Sequence, residues 1–281
     1  MFYRNEYNPE LWDKHSRLYN YRSEVISIKR HNREAHNLDR NTSKEEMKVI
    51  TITTFWNRPN ISRIFWEQCR EIGLDVIAVV TEGDHANINL AERLALKTVY
   101  MSNDNLPAKW QAGMEVLKQY EFDYFILLGS DDLISKRYFT DVCNKQAKAN
   151  VLYFGLRDAL AYSIDAKKFR YWRGYPEGLR HNESIGPGRM IHKSVLKKID
   201  FKLFSGAKGG PDRGAHMTIL NHKVPHKLIA SGLLPYRIGL KDHNAINKIV
   251  KSAPFNQTID LKEFYSENII NMIRHESDNH Q

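Results

Sequence analysis

Four short apolar runs, KVITITTF at 48–55, DVIAVVT at 75–81, KTVYM at 97–101 and DYFILL at 123–128, alternate with stretches of helical periodicity. That alternation constrains the fold more than any other feature of the chain. Strands apolar on both faces need cover on both faces, and strand–helix–strand order supplies it by laying helices above and below a largely parallel sheet. Local signals agree. Asn57-Arg58-Pro59 opens a helix with proline in its first turn, where a missing N–H costs nothing. Ile61, Ile64, Phe65, Cys69 and Ile72 fall on one side of that helix, and Gly73 ends it. Asn105 to Tyr120 reads as a further helix with Leu106, Trp110, Gly113, Met114 and Leu117 turned inward. Ser135 is placed to cap the helix after the fourth strand.

After the fourth helix the pattern changes. VLYFGL, LAYSI and FRYW are short aromatic strands that read as antiparallel additions to the sheet. Glycine-rich SIGPGRMI precedes a short helix at 192–199, and SGAKGGPDRG follows it. The expected organisation is a polar extension over 1–46, an α/β domain over 47–250, and a partly helical tail over 251–281. The extension reads as one or two short helices with a solvated connector. Within the domain, 47–132 and 133–250 read as two halves.

The 281 residues are 42% hydrophobic and 27% charged, which excludes wholesale disorder. No apolar run approaches the roughly 18 residues of a membrane span, and the first residues hold no secretory apolar block. A cytoplasmic location (a host's, if the chain is viral) is therefore expected. Cys69 and Cys143 sit in apolar helical patterns and read as buried thiols. The formal net charge of +9 favours an anionic partner: nucleic acid, acidic headgroups or a phosphorylated substrate.

Asp131 and Asp132 directly follow the fourth strand. In open α/β sheets ligands bind beyond the carboxyl ends of the strands. Two adjacent carboxylates there repel each other, and a divalent cation carrying a diphosphate would offset them. Plain helix capping is the alternative use of such a pair.

In order, VITITTFWNRPNISRI, DVIAVVTEGD, LPAKWQAG and FILLGSDDLIS resemble the GT-A glycosyltransferases, family 2 in particular. The resemblance runs from 48 to about 215 and more weakly to 250. It implies a Rossmann-like, mostly parallel sheet and transfer of a sugar, with inversion, from a nucleotide-sugar held by manganese or magnesium, a UDP-sugar above all. It implies that Thr53, Thr54, Asn57 and Arg58 hold the base, that Glu82 and Asp84 hold the nucleoside, and that Asp131 and Asp132 bind metal and diphosphate. Relatives carry an earlier aspartate where this chain has Gly129-Ser130, so the metal would have fewer protein ligands.

Lys109, near a helix start, can reach a phosphate or the sugar, or stay solvated. Gly186, Gly188 and Arg189 resemble the acceptor-side loop: the glycines admit close approach of backbone to ligand, and Arg189 offers a fork to phosphate. A tight turn is the other reading. By position Asp212 resembles the catalytic base that takes the acceptor hydroxyl proton, with a turn aspartate as the alternative. From the late loop, His243 would be a third metal ligand and Lys241 a diphosphate partner.

Two acceptors suit the basic charge. One is DNA carrying hydroxymethylated pyrimidine, the substrate of bacteriophage DNA-modifying sugar transferases. The other is a surface glycan or teichoic-type polymer. Two other classes compete. A nucleotidyltransferase would need a glycine-rich first loop, and FWNRPN has no glycine. A non-catalytic nucleic-acid-binding protein would need a recognised binding motif, and none is present.

Overall fold

In the computed structural model, the four apolar runs are strands Val49–Phe55 (β1), Asp75–Thr81 (β2), Lys97–Met101 (β3) and Tyr124–Leu127 (β4). Residues 47–279 are described, apart from 176, 177, 179, 181, 206–209, 244, 246–252 and 255–258. The extension read over 1–46 lies outside the described residues. β1 to β4 pair in parallel in the order β3–β2–β1–β4, with Ile52 opposite both Ile77 and Leu127. The chain thus moves outward from β1 to β3 and returns to the other side of β1 with β4. Open α/β sheets place ligands in a crevice at such a reversal, which here falls at the carboxyl ends of β1 and β4.

Helices Pro59–Glu71 (α1), His85–Arg93 (α2) and Leu106–Leu117 (α3) make the crossovers. Asp84 caps α2 and Asn105 caps α3, each accepting from a backbone N–H in the first turn. Ser135 does the same for the next helical run, α4, which comprises Lys136–Tyr138, a π turn at Phe139–Cys143, and Asn144–Lys148. Successive strand residues go to opposite sides. Ile77 and Val79 join Trp110, Met114 and Phe204 on one face, while Ala78 and Val80 join Phe55, Phe65 and Tyr138 on the other. This is why β2 reads as unbroken apolar sequence. Cys69 and Cys143 are free and buried, as their patterns imply, and burial pushes both thiols up.

Beyond β4 the sheet continues through Arg189–His192 (β9), antiparallel to β4, then Tyr153–Leu156 (β6) and Lys227–Ile229 (β10). The other aromatic strands do not join it. Ala159–Ser163 (β7) and Lys168–Trp172 (β8) form a second sheet, of order β12–β8–β7–β11–β5, with Asp132–Ile134 (β5), Arg237–Lys241 (β11) and Ala253–Pro254 (β12). The expectation of one extended sheet is corrected on that point. β11 runs antiparallel to β5 with Gly239 opposite Asp132, which lays the late strand directly along the aspartate pair.

Short helices Lys193–Lys198 (α5) and Pro211–Asn221 (α6) follow the two glycine-rich stretches. The last helix, Glu267–Asn279 (α7), buries Ile269, Ile270 and Ile273 in the same cluster as Phe65 and Cys69. The segment read as a tail therefore contributes to the core. Its isoleucines at i, i+1 and i+4 make one apolar stripe, too short to stand out beside the polar residues around it. Among the described residues, no helix is long and apolar enough to cross a membrane.

Candidate active site

The aspartate pair lies at the crevice edge and inside the protein, at 9% and 3% exposure for Asp131 and Asp132. Buried carboxylates need partners, and both have cationic ones. Asp131 Oδ2 accepts from Lys241 Nζ at 2.7 Å and from Arg58 Nη2 at 3.1 Å. The other arm of Arg58 reaches Asp242 Oδ1 at 3.4 Å. Asp132 takes Arg237 on Oδ1 and the Gly129 N–H, at 2.8 Å, on Oδ2. Burial opposes ionisation of Asp131, but the charges of Lys241 and Arg58 outweigh it and hold the carboxyl well below the ordinary range. For Asp132 burial wins over Arg237, helped by the charge on Asp131, and its pKa is raised.

β11 explains how two cations arrive together. Arg237, Gly239 and Lys241 point to one face while Ile238 and Leu240, at 1% and 0% exposure, enter the core. Gly239 leaves the room that the guanidinium uses, since a Cβ there would lie 2.7 Å from Arg237 Nη2. Neither Arg237 nor Asp242 was singled out in the sequence, although the R-x-G-x-K alternation beside apolar neighbours was visible there.

On the β1 side, Asn57 has φ 56°, a left-handed conformation that asparagine tolerates, and its N–H donates to Asp84 Oδ2 at 2.7 Å. Asn87 also donates to Asp84 twice. The Asp84 carboxylate, read as a nucleoside contact, is thus committed to holding the loop after β1 against the turn after β2. Glu82 is exposed in that turn. Thr53 is fully buried, and its Oγ1 has no hydrogen-bond partner among the described residues. Thr54, half-buried, is the neighbour on the open side.

Lys109 is fully buried, and its ammonium meets only neutral oxygens, Thr81 Oγ1 at 2.6 Å and Asn103 Oδ1 at 3.0 Å. Burial lowers its pKa to about 8, partly offset by the charge of Asp84. The solvated alternative for Lys109 is removed: this is a buried cation without a carboxylate in ion-pair range among the described residues.

The acceptor-side residues also reach this edge. Because Leu127 pairs with Arg189, the loop before β9 ends beside the end of β4, and Gly188 N–H donates to Leu127 O at 2.8 Å. Gly188 has φ +89°, in the left-handed region that favours glycine. Gly186 is required for a different reason: a Cβ there would overlap the Asp212 carboxylate. The structure thus brings Gly186 and Asp212, at the start of α6, into contact.

Arg189 is corrected. Its guanidinium is fully buried and spends its donors on Ser184, Ile185 O, Glu183 Oε1 and the Asp212 carbonyl. It is a strut that fixes the loop and the first turn of α6, with no fork left for a phosphate. Glu183, which sequence reading passed over, collects Arg180, Arg189 and Arg213.

His243 is exposed beside Asp165, 3.6 Å away, and does not join the carboxylates. No group of three His, Cys, Asp or Glu side chains able to hold a metal occurs among the described residues. The described residues thus build no dedicated protein cage for a metal. The donor set fits a hard cation of the kind that shares its shell with substrate phosphates and water, because such ions are commonly held by one or two carboxylates. Asp131 Oδ1 accepts no hydrogen bond among the described residues, while the other oxygens of the pair are taken.

No protein-family model and no curated protein sequence matches the chain. Solved structures do. A crystal structure of S. aureus TarS 1-349 superposes with a TM-score of 0.52 at 13% identity, over 69% of this chain and 60% of that one. The mannosyltransferase PcManGT from Pyrobaculum calidifontis, in complex with GDP-Man and Mn2+, gives a TM-score of 0.50 at 10% identity, over 82% of this chain and 67% of that one. The chain therefore spans about three-fifths of the length of the TarS fragment. At these identities the likeness establishes the fold, which is the α/β GT-A arrangement: a mostly parallel central sheet, helices on both faces and added antiparallel strands.

Proposed function

We propose that the chain is a glycosyltransferase that moves a sugar, with inversion, from a nucleotide-sugar to an acceptor hydroxyl. The observation that carries this reading is the position of Asp131. It is a buried carboxylate beyond the carboxyl end of β4, with Arg58 and Lys241 converging on it. Such a site suits a diphosphate, because Arg58 and Lys241 can turn from the carboxylates to phosphate oxygens.

In this reading the C1–O bond to the distal phosphate breaks and the nucleoside diphosphate departs with the electron pair. The acceptor oxygen forms the new bond to C1 from the opposite face, and its proton passes to the Asp212 carboxylate. Arg58, Lys241 and Lys109 stabilise the charge that builds on the departing diphosphate. Asp131, with Asp132 behind it, would hold manganese or magnesium, which when bound supplies Lewis-acid neutralisation of that charge. Gly186 gives Asp212 room to stand at the crevice, and Arg189 keeps the two in register. A UDP donor is favoured by the sequence resemblance. The GDP-Man complex of the mannosyltransferase makes a GDP-sugar the necessary comparison.

The test is release of nucleoside diphosphate from UDP- and GDP-sugars, with manganese and a mixture of glycan acceptors. The wild-type chain is expected to turn over at least one donor. Asp131→Asn, nearly isosteric, should lower that rate by about a hundredfold while circular dichroism stays unchanged. A chain that consumes no nucleotide-sugar, or an Asp131→Asn variant at full rate, would overturn the reading.

A further inference from the structure

The two aspartates are held by different kinds of partner. Asp132 is locked. Arg237 sits within the paired part of β11, with Gly239 making space for its guanidinium, and the second Asp132 oxygen fixes the Gly129 N–H. Asp131 is held loosely. Lys241 is the last residue of β11 and reaches one carboxylate oxygen through a flexible four-carbon stem. Arg58 splits its fork between Asp131 and Asp242 at 3.1 and 3.4 Å, and forms no two-pronged pair with either. Three carboxylates therefore face three cations.

This pairing sets the binding energetics. A divalent cation arriving alone must push Lys241 and Arg58 off Asp131, leaving the ammonium part-buried without that anion and the guanidinium with Asp242 alone. A diphosphate arriving alone meets cations already committed to carboxylates. When both arrive, each displaced side chain finds a phosphate oxygen and the costs cancel.

Building on the function proposed above, we propose that Lys241 and Arg58 are displaceable counter-ions, which make binding of a divalent cation and of a nucleoside diphosphate at this crevice mutually dependent. Asp131 is then the exchanging carboxylate, and Asp132 is a fixed post that never leaves Arg237. Because coupling is reciprocal, the factor by which one ligand tightens the other is the same in both directions.

The experiment uses the full chain with manganese and UDP or GDP as probes, by titration calorimetry and by the electron paramagnetic resonance of free manganese. For the wild type, saturating nucleoside diphosphate should tighten manganese binding by at least about tenfold, and the reverse titration should give the same factor. Lys241→Met removes one competitor, so manganese alone should bind about tenfold more tightly than to wild type, while the coupling factor shrinks. Lys241→Arg restores a competing cation and should return both values toward wild type, which separates the effect from loss of fold. Unchanged or weaker binding of manganese alone to Lys241→Met would overturn the inference, as would a wild-type coupling factor near one. If neither UDP nor GDP binds with or without manganese, the transferase reading fails instead. The manganese-only comparison still decides whether Lys241 competes for Asp131.

Discussion

At the scale of single residues, Lys109 links burial to a measurable pH dependence. Its pKa is lowered from 10.5 to about 8, chiefly by burial, so the ammonium persists below about pH 8 and is lost above it. Affinity for a nucleoside diphosphate should accordingly fall as pH rises through about 8. Lys109→Met should flatten that profile and weaken binding by about tenfold, the low end for a hydrogen bond to a charged group. Stability moves the other way. Between about 8 and 10.5 the unfolded chain binds the proton that the folded chain has released, so stability contributed by this group rises with pH across that window. Opposite slopes in calorimetric affinity and in denaturation midpoint would identify Lys109 as the group responsible. Parallel slopes would assign the effect elsewhere.

Among elements, β11 does the most for the site, and it was the least legible. Its alternation of Arg237, Gly239 and Lys241 against Ile238 and Leu240 is a strand signature. Its partner β5 is only three residues long, inside FILLGSDDLIS, and nothing in that run marks it as a strand. Pairing across more than a hundred residues carries no local trace, so Lys241 could be placed by resemblance while Arg237 and Asp242 went unnoticed. The glycine in β11 gives a direct prediction. Gly239→Ala should push Arg237 off Asp132 and destabilise the fold by about 1–3 kcal/mol, the usual range for overpacking a filled site. Chemical denaturation checks this. A change below about 0.5 kcal/mol would mean that Arg237 has room to move, and that Asp132 is less firmly locked than the geometry indicates. By contrast β1, β2, β3 and α1 were readable because their partners are near in sequence and their periodicity is their own.

For the whole molecule, the parallel core was legible and its supplements were not. Local periodicity decides that 48–128 is strand and helix in alternation, and the carboxyl edge of such a sheet then predicts where ligands go. It does not decide which sheet a short aromatic strand will join, and LAYSI and FRYW went to the second. The site reading divides in the same way. Asp131, found by its position after β4, and Arg58, which the resemblance assigned to the base, do meet. Arg189 and His243, also assigned by resemblance, proved to be a buried strut and an exposed side chain paired with Asp165.

One claim supports the rest: a diphosphate is held at the crevice between β1 and β4, against Asp131. A crystal structure of the chain with a nucleoside diphosphate and manganese measures it most directly. The account predicts phosphate oxygens within hydrogen-bond reach of Lys241 or Arg58, and manganese on an Asp131 oxygen. A nucleotide bound away from that crevice, with Lys241 and Arg58 still on Asp131, would contradict it.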